Sequence, residues 1–178
     1  GHSHRVAQLT EMMAREVSDS DEAAFLSVNF TPRELTELHY AAILHDFGKV
    51  GVREEVLLKA ARLYPWELAQ IEQRFRVAAL QAQLEAVREN SGGSMLPGRM
   101  GQLSDDLTLV RSLNRLGRVG DSESAAIRQV AERWRLSETE PVLHPREVRR
   151  LCIPIGTLDP EERLEIERHV EHTYRFLR

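Results

Sequence analysis

The chain has 178 residues, 42% of them hydrophobic and 29% charged, with a formal net charge of −4; it is long enough for one domain, or for one domain carrying a large insertion. One cysteine against seven histidines excludes a disulfide scaffold and a zinc ribbon but leaves room for a metal site of imidazoles and carboxylates. The acidic balance argues against a nucleic-acid partner, and no apolar run approaches the roughly 18 residues that span a bilayer, so the expected setting is cytoplasmic, with no membrane.

In chain order, Val6, Leu9, Met13 and Val17 recur at spacings of three and four and predict a helix over 5–17. Thr31-Pro32-Arg33-Glu34 is a helix start, with Thr31 as cap, Pro32 at the first position and Glu34 closing a capping box. That helix is expected to reach about Phe47, where Gly48 and Gly51 break it, with His45 on its apolar face. A second helical pattern runs from about Leu57 to Asn90. Within it, Val77, Leu80, Leu84 and Val87 form a short coiled-coil-like seam, expected to pack within the chain, with dimerisation as the alternative. The glycines and Pro97 of Ser91–Ser104 predict a loop or a disordered crossing. Leu103, Leu107, Val110 and Leu113 predict a return helix, and Ile127, Val130 and Trp134 another. Asp159-Pro160-Glu161-Glu162 opens a last helix running to Arg178, with Ile166, Val170, Thr173 and Leu177 as its inner stripe. Its start echoes Leu63-Tyr64-Pro65-Trp66-Glu67, with Arg74 standing where the later copy has His169. No strand is predicted, and the expected class is all-α.

The residues best suited to chemistry are His45-Asp46-Phe47-Gly48-Lys49-Val50-Gly51. A neighbouring imidazole and carboxylate can hold one metal ion, and the second carboxylate oxygen can bridge another. Lys49 lies one turn on and suits a phosphate oxygen. Two such ions fit hydrolysis of a phosphodiester, one activating water and both stabilising developing charge. Of the other polar candidates, His172, His4, His39 and His144 read as structural or exposed, Cys152 as a small core residue, and Arg146, Arg149 and Arg150 as a solvated face.

Three segments resemble the HD superfamily of metal-dependent phosphohydrolases, and within it the HD-GYP branch, whose active members hydrolyse cyclic di-GMP. They are Gly1-His2-Ser3-His4-Arg5-Val6, then His45 through Lys59, then Gly156-Thr157-Leu158-Asp159-Pro160-Glu161-Glu162 through His169. The resemblance implies an HD-type helical bundle. It makes His2, His45, Asp46 and His169 the metal ligands, with Asp46 as the bridge and Lys49 as the catalytic phosphate contact. It implies divalent ions, iron or manganese, two where the site is complete. Residues 73–150, which separate the second and third segments, then read as an inserted helical hairpin or arm. On this reading 1–72 is the first part of the core and 151–178 its incomplete second part.

The His-His pair and Gly-Tyr-Pro tripeptide of the branch are missing from the chain. The expectation is therefore of a truncated or degenerate piece, inactive alone, whose parent continues past Arg178. The expected partners are a cyclic dinucleotide or another phosphoester, a second copy through the arm, and an upstream sensory domain. The alternatives are a non-catalytic signalling or dimerisation module on the same scaffold, or a hydrolase for another nucleotide.

Overall fold

A computed structural model describes residues 1–88 and 96–177. Among these residues the ordered elements are helices; pairing of extended backbone is limited to the isolated bridges Arg118–Ile155 and Arg135–Pro141. The all-α class holds. No helix among the described residues is long and apolar enough to cross a membrane. The chain divides into two compact units, Gly1–Leu57 with Arg163–Arg178, and Leu58–Glu162. The arm expected over 73–150 falls inside the second.

In the first unit, α1 (His2–Ser18) and α2 (Pro32–Leu44) pack on each other. The capping box at Thr31 forms as its residues require: Thr31 Oγ1 accepts from the Glu34 N–H at 3.3 Å, and Glu34 Oε2 accepts from the Thr31 N–H at 2.7 Å. The helix ends earlier than its pattern suggests. Leu44 closes it, His45 caps it, and a 3-10 helix covers Phe47–Gly51 before the short α3 (Glu54–Leu57).

In the second unit, α4 (Pro65–Arg88), α5 (Leu96–Arg115), α6 (Asp121–Arg133) and α7 (Pro145–Leu151) enclose one core, which includes Leu63, Ile71, Phe75, Val110, Leu113, Ile127, Val142, Leu143 and Leu151. The chain passes back to the first unit within α8 (Pro160–Glu167) and ends in α9 (His169–Leu177).

Four further expectations about the helices are corrected here. The helix placed from about Leu57 begins only at Pro65, because the Glu67 carboxylate accepts from the Tyr64 N–H at 2.9 Å and fixes the start there. Before it, Arg62 is fully buried and donates to the carbonyls of Leu113, Leu116 and Ile153.

The loop placed at Ser91–Ser104 is helical from Leu96. Leu103 is buried and Met100 packs on the core, and that burial outweighs the helix cost of Gly98 and Gly101. Residues 91–95 of that loop lie outside the described residues.

The seam expected to pack internally faces outward: Leu80 is 63% and Val87 77% exposed. Ile71, Phe75, Ala78 and Ala82 supply the buried face of α4 instead.

The last helix is two, broken at Arg168. The His169 ring occupies the Ile166 carbonyl that an unbroken ladder would give to the Val170 N–H. In α9 only Thr173 of the expected stripe is buried; Val170 and Leu177 are exposed.

A buried charge network lies in the second unit. Lys59 Nζ contacts Glu162 at 2.6 Å, with side chains 1% and 3% exposed. Arg150, expected on a solvated face, instead joins Glu67, Asp159 and Glu162. The echoed helix starts thus share more than a sequence pattern. Glu67 and Glu162 each cap their own helix, and both reach the same guanidinium.

Candidate metal centre

The turn that ends α2 and the first turn of α9 bring His45, Asp46, Lys49 and His169 together within the first unit. His45 Nδ1 lies 2.7 Å from the Ala42 carbonyl, and His169 Nδ1 sits on the Ile166 carbonyl. A carbonyl only accepts, so each Nδ1 carries a proton, and in the neutral ring each Nε2 keeps its lone pair. Both Nε2 atoms face one carboxylate: His45 Nε2 is 3.3 Å from Asp46 Oδ2, and His169 Nε2 is 3.5 Å from Asp46 Oδ1. Lys49 Nζ donates to Asp46 Oδ2 at 2.7 Å. His2, in the first turn of α1, is exposed, and its ring centroid is 6.1 Å from that of His45.

The electrostatics favour a charged carboxylate. The hydrogen bond from Lys49, foremost, with the charge of Lys49 and those of His45 and His169 in their protonated forms, holds Asp46 below the usual carboxylate range against the opposing pull of its burial.

Two imidazoles anchored through Nδ1, with Nε2 turned toward a shared carboxylate, are the arrangement by which main-chain carbonyls orient metal-binding histidines. The donor set fits a divalent cation in type. Among the described residues, however, no group of three or more His, Cys, Asp or Glu side chains is gathered closely enough to hold an ion. Sequence reasoning named each of these residues but not what holds them. Thr173 entered it only as one position in an apolar stripe, and its hydroxyl bonds across the centre instead. His172, on the same short helix, lies against Gly51, where an added Cβ would come 2.8 Å from its Nδ1.

Fold and centre together define an all-helical domain that sets two histidines on one aspartate next to a lysine. A family model described as the HD domain matches residues 1–153, and the chain belongs to that family. The family is one of metal-dependent phosphohydrolases. The match ends before His169. No curated protein and no solved structure gives a significant match.

Proposed function

We propose that this chain carries the metal centre of an HD-type phosphohydrolase acting on a phosphodiester, with cyclic di-GMP as the substrate that the resemblance to the HD-GYP branch suggests. The observation that carries the reading is the pair of Nε2 atoms, from His45 and His169, turned toward the two oxygens of Asp46. His45, Asp46 and His169 would hold a divalent ion, iron or manganese, with His2 reaching in from α1. A bound ion supplies Lewis acidity toward a phosphate oxygen and activation of water.

The remaining roles belong to the protein. The Ala42 and Ile166 carbonyls fix the proton on each Nδ1, so each Nε2 stays open to a cation. Lys49 lowers the Asp46 carboxyl further and offers an ammonium to a substrate phosphate as a point charge. Ser and Cys nucleophiles are not needed.

Metal analysis after anaerobic loading, and hydrolysis of cyclic di-GMP beside a linear dinucleotide and a nucleoside monophosphate, test the reading on the complete natural polypeptide. Bound iron or manganese lost in His45→Ala and Asp46→Asn is the expected result; no uptake and no turnover would sink it. Turnover of the other phosphoesters alone would keep the enzyme and change its substrate.

A second reading is a non-catalytic dimerisation module on the HD scaffold. It is favoured by the outward stripe Val77, Leu80, Leu84 and Val87, an apolar surface of the kind that monomers usually limit.

A further inference from the structure

Thr173 is 7% exposed, and its hydroxyl touches three main-chain groups. It accepts from the Gly48 N–H at 2.8 Å, and its own hydrogen lies within reach of the His169 carbonyl at 2.9 Å and the His45 carbonyl at 3.3 Å. Both carbonyls belong to the residues whose rings face Asp46. The Gly48 N–H belongs to the turn immediately after it. One side chain therefore ties together the backbones that carry both imidazoles and the carboxylate.

The contact is close because position 48 has no side chain. A Cβ there would lie 1.9 Å from the His169 oxygen and 2.7 Å from both the amide nitrogen and Oγ1 of Thr173. The turn and α9 meet main chain to main chain, with the Thr173 hydroxyl as the polar link. Around that link, the Phe47 and Phe176 rings pack at 4.3 Å, and Arg53 pairs with Glu165 at 2.8 Å.

We propose that Thr173 is a positioning residue for the metal centre: its hydroxyl sets the distance between the His45–Asp46 turn and His169. This rests on the reading that His45, Asp46 and His169 hold the cation. The physical ground is the narrow tolerance of such sites, in which donors must be held within about 0.5 Å of the productive geometry by groups that are themselves fixed. Without the hydroxyl, the buried Gly48 N–H loses its acceptor, and both carbonyls lose the donor between them.

The test uses the whole chain as wild type, Thr173→Val, Thr173→Ala, Thr173→Ser and His169→Ala, each checked for fold by far-UV circular dichroism. Mn2+ affinity is measured by calorimetry, and the visible absorption of added Co2+ reports ligand geometry. Valine is near the shape of threonine and lacks the hydroxyl. Alanine keeps the test available should valine disturb folding. The expected result is Mn2+ binding weakened at least tenfold, with an altered Co2+ spectrum, in Thr173→Val and Thr173→Ala. Thr173→Ser should stay within about twofold of wild type. A merely structural threonine would not be rescued in the Co2+ spectrum by serine alone.

A metal-free readout separates this inference from the reading beneath it. The imidazole 15N shifts of His45 and His169 should both move in Thr173→Val and neither in Thr173→Ser. If the shifts respond while the wild type takes up neither ion, the positioning role stands and the metal reading falls. If the wild type binds Mn2+ and Thr173→Val binds it equally well with unmoved imidazoles, the positioning role is overturned and the metal reading survives.

Discussion

At the scale of single residues, the centre depends on which atoms take the protons. The Ala42 and Ile166 carbonyls hold the proton on each Nδ1 and leave Nε2 toward Asp46, and Lys49 deepens the acidity of that carboxyl. Lys49→Met should therefore raise the Asp46 carboxyl toward its ordinary value, read by the pH titration of its 13C resonance; an unmoved midpoint would remove Lys49 from this role. The sign for stability follows from the depressed value. Ionised Asp46 contributes stability above its unfolded pKa of about 3.9, and that contribution is lost as pH falls through the lower folded value. The pair is part-exposed, with side chains 42% and 29% accessible, so the expected cost of Lys49→Met at neutral pH is below about 1 kcal/mol. His45, Asp46 and Lys49 were legible in the sequence because neighbours in the chain share one turn. Thr173 was not, because its role depends on backbone groups as far as 128 residues away in the chain.

At the scale of elements, helix starts were legible and helix interruptions were not. Thr31 and Glu34 cap locally, so a pattern of four residues suffices. The helical course of Leu96–Ser104 depends on contacts that no short window contains, and the break before His169 depends on a ring-to-carbonyl bond that apolar spacing does not announce. Glu162 shows how much one such contact carries, since it caps α8 while facing both Lys59 and Arg150 in a dry setting. Glu162→Gln keeps an acceptor for the Asp159 N–H but leaves two buried cations short of an anion, and about 3 kcal/mol of stability should be lost at pH 7 in urea unfolding. Burial alone would raise the Glu162 pKa; the bonds from Lys59 and the Asp159 main chain overcome it and hold the group low. Its contribution is then complete above the unfolded value of about 4.3 and fades as pH falls through the folded one. The variant's stability should accordingly be flatter than wild type between pH 5 and 3, and parallel curves would refute the assignment. The opposite sign is expected in α5. A Cβ at Gly101 meets nothing within 4 Å, so Gly101→Ala should add about 0.5–1 kcal/mol, seen as a raised thermal midpoint.

At the scale of the whole molecule, the two units are unequal in what they bury. The core cluster from Leu63 to Leu151 lies wholly in the second. In the first, the buried hydrophobics are Ala7, Ala14, Leu35, Val52 and Val56, while Leu9, Met12, Met13, Tyr40, Val170, Tyr174 and Phe176 stand exposed. Composition could not foresee this division, because it counts apolar residues without saying which unit encloses them. The stripe on α4 has a consequence for association. If it seats a second copy, Leu80→Glu with Leu84→Glu should turn a dimer into a monomer in sedimentation velocity, and a monomer in both proteins would remove the dimerisation reading. Burial also sets how readily each unit opens, since opening free energy rises with the apolar area a segment hides. The amides of α1 and α2 should therefore exchange through local opening while those of α4, α5 and α6 stay closed. A difference of about 2 kcal/mol in opening free energy corresponds to roughly thirtyfold in protection. Native-state hydrogen exchange at a series of low urea concentrations measures both sets in one sample. Two families of amides, converging on different free energies, are the expected pattern. Convergence of all amides on a single value would mean that the units open together, and that the small core around α1 and α2 draws its stability from the larger one.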